Sequence, residues 1–444
     1  MSASRILPFL LLPWLLPVVG ALPAQGKREG NKDLRDVVKT KDGKKVRGRV
    51  LRFYDDKEVV LLQGVKPRAG ASAGGKRVRI PRGDVVSVET VNTHLRKFMD
   101  LHAEAKGDVD ALWKLVEWAD TRGLEAMAQL QALEVVVRRD SHEPAHKYLG
   151  HRKSRSGWKW QRKGSFLTRK KYEAKIAKWG TALVVPTEHF ELRTDAGLGM
   201  GVDVAFELER VYLHWFQLFG KPMNLEEAVS PMAVHLYRDV KRFPVWTFRV
   251  QLVYYTPPQG GDIANAFVAP ETGEPEQLIN VVTQQLIYHT IRATGMGNAD
   301  PREHVSGWLE YGMGQWMESM FQGKYGRLKL RRPTLDPRQT LVLSRMDKLK
   351  LKPFLHASYS QFLDFTKHTK ERWALSAHLV HYLMENDHGH RAEFLEYICD
   401  VFREGKGDSG TTFARFLKIP LKELDRLLQA WLLQQPGGGN KRRR

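Results

Sequence analysis

Residues 281–290 (VVTQQLIYHT) and 307–318 (GWLEYGMGQWME) hold the polar groups whose types and spacing bear most directly on chemistry. Val281, Val282, Leu286, Ile287 and Ile291 recur at helical spacing, as do Trp308, Leu309, Met313, Trp316 and Met317, so both stretches are expected as helices. Gln284 and Tyr288 stand at i and i+4, the spacing at which two side chains of one helix reach a common ion. Glu310 and Tyr311 stand on the second stretch. The types present do not supply hydrolytic metal chemistry. A neutral amide ligates zinc poorly, and a phenol with an ordinary pKa near ~10 stays protonated at neutral pH. Gln285, between the two, cannot accept a proton from water.

This layout resembles the gluzincin-type, peptidase-MA-like domains of exported bacterial proteins, from Phe190 to about Leu433. Those domains carry an HExxH helix followed by a W-L-x-E-G-x-A-x-x-x-E helix. Trp308, Leu309, Gly312 and Glu318 match the second motif, with Gly314 where Ala is usual; the first motif matches only in its apolar frame. The resemblance places Gln284 at the first ligand, Gln285 at the general base, Tyr288 at the second ligand and Tyr311 at the third. It implies a non-catalytic, metallopeptidase-like protein, a pseudoenzyme whose cleft still accepts a peptide or other polymer. Gln284, Gln285, Tyr288, His289, Glu310 and Tyr311 are expected to line that cleft, with no catalytic residue, no metal and no cofactor.

Two other readings stand beside it. An active zinc metallopeptidase with displaced ligands would draw on His289, Glu310, His304 and Glu303. A one-residue shift of that kind turns His289 about 100° around the helix from Tyr288 and leaves it without a His partner at i−4, where Gln285 stands. A polyanion-binding envelope protein would use the net charge of +21, which points to nucleic acid, anionic polymers or lipid headgroups.

The elements that must position these groups can be read in order. Arg5, the apolar run Ile6–Val19 and the small residues Gly20, Ala21 and Ala24 predict a signal peptide over residues 1–24, hence export to the periplasm, envelope or outside. No later stretch is apolar enough to span a bilayer. Residues 33–92 alternate in short strands with an Asp42-Gly43 turn, a pattern similar to an SH3-like β-barrel. Lys44, Lys45, Arg47, Arg49 and Arg52 give it positive charge without an aromatic platform for RNA, so a packing or docking module is expected.

Residues 93–178 read as a helical, tetratricopeptide-like spacer ending in a basic connector, Lys153–Lys178, with Trp158 and Trp160. His142, His146 and His151 fit no standard metal spacing. His378 and His381 stand at i and i+3, and His388 and His390 could join Glu385 in a metal site, but that segment reads as a helix-to-turn junction where polar residues commonly gather. Residues 186–435 make the gluzincin-like domain: a helix over Val202–Phe219 stopped by Gly220, an edge strand at Ala264–Ala269, and a helical C-terminal lobe. Residues 436–444 are a basic tail. The lone Cys399 excludes an intrachain disulfide and sits in an apolar helix pattern as a buried small residue. No Gly-x-Ser-x-Gly elbow, Walker loop or dinucleotide fingerprint is present. The expected fold class is α+β, in three parts.

Overall fold

The computed structural model describes residues 36–52, 55–64, 75–228, 230–243, 254–256, 262–275, 277–292, 305–344, 350–362, 369–385, 389–404 and 410–435. The expected signal peptide, most of the Gly/Ala-rich loop, Glu303, His304, His388 and the basic tail lie outside them. The chain is mixed helix and strand. No described helix is long and apolar enough to cross a membrane.

β1 (Asp36–Thr40), β2 (Lys45–Arg52), β3 (Glu58–Gln63), β4 (Lys76–Pro81) and β5 (Val85–Glu89) form an antiparallel sheet in the order β4-β3-β2-β1-β5. The Asp42-Gly43 turn joins β1 to β2, with the Gly43 N–H donating to the Thr40 carbonyl. Alternate residues point inward, so Val38, Val50, Val59 and Leu61 bury completely in a core of their own. The buried Asp36 carboxylate accepts from the backbone N–H of Val50 at 2.6 Å and of Val91 at 2.7 Å, tying this sheet to the first helix.

α1 (Val91–Glu104), α2 (Val109–Asp120), α3 (Glu125–Arg138) and α4 (Glu143–Tyr148) follow. Thr90 and Asp108 cap the first two by accepting orphan N–H groups. The stretch expected as a helical spacer and connector then differs. β6 (Arg152–Ser154), β7 (Gly157–Arg162) and β8 (Ser165–Thr168) form a three-stranded antiparallel sheet before α5 (Arg169–Ile176). Its second turn is Lys163-Gly164, both at positive φ (44° and 77°), the two-residue hairpin form that matches strand twist. The density of Lys and Arg hides that turn signal in the sequence. Trp160 is fully buried against Tyr172 and His151, and Trp158 stacks on His146 with centroids 4.5 Å apart.

The second sheet holds β9 (Leu183–Pro186), β10 (Phe190–Thr194), β11 (Met232–Tyr237), β12 (Tyr254–Thr256) and β13 (Ile263–Phe267) in the order β12-β13-β11-β10-β9. β10, β11 and β13 run parallel; β9 and β12 run antiparallel to their neighbours. The expected edge strand at residues 264–269 is therefore interior, and β12 is the outer strand. α6 (Leu198–Met223) crosses from β10 to β11 and outruns its expected bounds. Gly220 does not stop it; Asn224 does, in the left-handed conformation, with its N–H on Lys221 and the Leu225 N–H on Gly220.

α7 (Leu278–Ile291) packs on β13 and along α8 (Gly307–Met320), whose other side meets a later helix, residues Thr369–Met384. Both contacts need glycine. A Cβ on Gly312 would stand 2.6 Å from the Ser376 carbonyl oxygen, and one on Gly314 would collide with Asn280 of α7. β14 (Phe321–Gln322), β15 (Lys329–Leu330), α9 (Pro337–Ser344), α10 (Leu351–Leu355), α11 (Tyr359–Phe362), α12 (Thr369–Met384), α13 (Arg391–Glu404), α14 (Gly410–Leu417) and α15 (Leu421–Gln434) complete the chain. Cys399 is buried on α13, its thiol on the Pro222 carbonyl.

Candidate functional site: the α7/α8 helix pair

α7 is apolar on nearly every side, so its polar residues are buried with it and must find partners inside. Gln285 is fully buried, and its amide nitrogen donates to the Ala233 carbonyl at 3.1 Å and the Asp262 carbonyl at 2.9 Å. Those carbonyls sit at the starts of the parallel strands β11 and β13. An amide suits this position because a carboxylate has no hydrogen to offer them. Among the described residues its own Oε1 is buried without a partner.

Tyr288 and Glu310 meet across the pair. The phenol donates to Glu310 Oε2 at 2.7 Å, and the two residues keep 1% and 4% of their surface exposed. Burial first, then the charge of Glu310, holds the Tyr288 pKa well above the ordinary value, with Tyr359 of α11 adding to the effect. Tyr288 is thus a protonated donor, not a phenolate ligand.

Glu310, not Tyr311, is the α8 residue facing Tyr288. Tyr311 lies on another side, half-buried and stacked on Trp373 at 5.1 Å. Gln284, also half-buried, donates to Asn280 Oδ1 at 3.2 Å. His289 turns away from Glu310 towards Arg292, Asp262, His189 and the Glu226 backbone. Burial, then the charge of Arg292, lowers its pKa to about 4, and its Nε2 is buried without a partner among the described residues. The six residues expected to line one cleft therefore divide. Gln285, Tyr288 and Glu310 are interior, Gln284 and Tyr311 are half-open, and His289 faces another region.

The other histidine groups are committed elsewhere. His146 shares its Nδ1 with His151 Nδ1 at 2.7 Å and its Nε2 with the Asp140 carbonyl at 2.8 Å, while His142 caps α4. His378 is held between Thr340 and the Ala374 carbonyl, and Glu385 pairs with Arg332. Among the described residues no three His, Cys, Asp or Glu side chains are grouped to hold a metal ion.

Sequence reasoning missed a second buried polar centre, where β2 meets α6 and the loop after it. His189 Nδ1 lies 2.7 Å from Glu209 Oε2, the His189 N–H donates to Glu209 Oε1 at 2.7 Å, and the ring stacks on Tyr212 at 3.6 Å. Arg49 contacts His189 Nε2 at 3.3 Å and donates to the Ala228 carbonyl at 3.1 Å. Burial disfavours the charged His189 more than Glu209 supports it, so its pKa falls. Burial opposes the Glu209 charge too, but the His189 contacts overcome it and hold the carboxyl below the usual range. A neutral imidazole with its proton on Nδ1 satisfies both contacts and relays Glu209 to Arg49. Burial lifts the nearby Glu227 carboxyl to about 8 against the pull of Arg49. The Glu227 N–H bonds the Leu51 carbonyl at 2.9 Å, and Arg52 pairs with Glu226 at 2.8 Å. The N-terminal sheet is docked through this cluster.

No family model, curated protein or solved structure matches this chain.

Proposed function

We propose that this chain is a non-catalytic, metallopeptidase-like binding protein whose SH3-like barrel is a docking module and whose residues 186–435 keep a zincin-like frame. The reading rests on one observation above others: at the positions the resemblance assigns to ligand and base, Tyr288 is spent on Glu310 and Gln285 on two strand carbonyls. A protonated phenol and a donating amide perform neither zinc ligation nor general-base catalysis. In support, α7 and α8 lie side by side beneath a sheet that ends in a short antiparallel strand.

Binding takes the place of chemistry. β12 is the outer strand, where an extended peptide adds by main-chain hydrogen bonds, and the half-open Gln284 and Tyr311 supply side-chain contacts. The natural setting on this reading is the periplasm, envelope or exterior. Retention of a random decapeptide mixture on the immobilised protein, read by mass spectrometry, tests it. The expected result is an enriched peptide set that the Tyr311→Ala and Gln284→Ala variants release. Equal retention by wild type and both variants contradicts the assignment of those side chains.

A further inference from the structure

Away from the helix pair, at the C-terminal end of α8, a groove of about 540 Å³ runs beside β15 and continues into a second part of about 270 Å³. His214 and Leu330 belong to both parts. The larger part is walled by Arg331, Arg332 and Arg391, the smaller by Arg96 and Arg210. Against these five cations stand two carboxylates, Asp100 and Glu385, and Glu385 is already paired with Arg332 at 2.9 Å. Arg210 is held by Glu207 and Arg96 by the Leu213 carbonyl. Arg331 and Arg391 have no ion-pair partner among the described residues.

The floor is apolar, of Leu218, Met320 and Met384 in one part and Met99 and Phe321 in the other. Leu330, 46% exposed, stands at the waist as one of the few large apolar side chains left in water. His214 between the arginines is neutral: burial, with Arg96 and Arg210 adding to it, takes its pKa to about 4 despite a contact from Gln217. The groove thus offers fixed positive charge along an apolar track.

We propose that this groove docks an extended acidic peptide segment in which carboxylates alternate with apolar side chains. Guanidinium groups bind carboxylates bidentately, and period-2 alternation sends one set of side chains to the rim and the other to the floor. Nucleic acid fits less well. The two rings at the floor, Trp316 and Phe321, are 4% and 7% exposed and present no free face for base stacking.

The test is fluorescence anisotropy of a fluorescein-labelled alternating Glu-Leu peptide against the full chain, at low and at physiological ionic strength. Arg331→Gln/Arg391→Gln removes the two unpaired cations and should weaken binding by about tenfold or more. Neither change breaks a contact that holds the fold, and far-ultraviolet circular dichroism checks that. Leu330→Ser should weaken the Glu-Leu peptide by about threefold and leave an all-Glu peptide unaffected. Lys45→Gln/Arg47→Gln, on the N-terminal sheet, should leave both unchanged. Equal weakening by the two double variants overturns the proposal in favour of diffuse charge attraction. Tighter binding of a single-stranded oligonucleotide of equal charge, lost in Arg331→Gln/Arg391→Gln, overturns it in favour of nucleic acid.

Discussion

The α7/α8 pair and the junction beneath β2 are both buried, and both are built from residue types that elsewhere perform chemistry. They solve desolvation in opposite ways. At the junction Arg49 and Glu209 keep their charge on either side of a neutral His189, with Glu227 protonated beside them below about pH 8. At the helix pair the groups are mostly neutral, and the Glu310 carboxylate accepts from the Tyr288 phenol. A constellation of His, Glu and Arg in this molecule marks a place where two substructures are held together. The stretch resembling a catalytic motif is held by amides and a tyrosine. A buried charge cluster stripped of one partner destabilises strongly, whereas a neutral network loses a hydrogen bond or two.

That contrast can be broken by mutation. The largest expected effect is Glu209→Gln, which takes away the buried carboxylate that the His189 backbone N–H and ring both contact. Urea unfolding should show a loss of about 3–5 kcal/mol, and a loss below about 1 kcal/mol would erase the distinction between the two regions. Next is Gln285→Glu, the change that restores a general base in form. It removes both hydrogens given to the Ala233 and Asp262 carbonyls and should cost about 3 kcal/mol by the same measurement. A neutral outcome would mean that the amide is not held by those strands.

The smallest effect is a slope. Glu227 is lifted to about 8 in the fold, above its ordinary value, so the folded state keeps a proton that the unfolded state has released. The stability this group contributes is fully present below its unfolded pKa and is lost as pH rises towards 8, at no more than about 1.4 kcal/mol per pH unit. Glu227→Gln should flatten that part of the urea-midpoint profile. An unchanged slope would remove Glu227 from the junction's electrostatics.

Much of this architecture was legible. The apolar periodicity of α7 and α8, the Asp42-Gly43 turn and the burial of Cys399 follow from residue types at short range. Tertiary choices were not. Which α8 residue faces Tyr288 depends on the rotation of α8, and neighbouring positions differ by about 100°. Contacts at Gly312 and Gly314 settle it in favour of Glu310. The order of β12 and β13 is likewise invisible to alternation, which identifies a strand but not its neighbour. The junction escaped because Arg49, His189, Glu209 and Glu227 are scattered along the chain and each alone resembles an ordinary surface residue. The β6–β8 sheet escaped because Lys163-Gly164 lay inside a run of charge.

On the proposed reading the helix pair carries no zinc chemistry because of the groups at Gln284, Gln285 and Tyr288. Elemental mass spectrometry of the purified chain after chelation and zinc re-addition, beside a Gln284→His/Tyr288→His variant, tests it most directly. The variant sets two imidazoles near Glu310, the two-His, one-carboxylate donor set of zinc sites. Zinc far below one per chain in the wild type and close to one in the folded variant is the expected result. Stoichiometric zinc in the wild type, or none in the folded variant, would contradict the account.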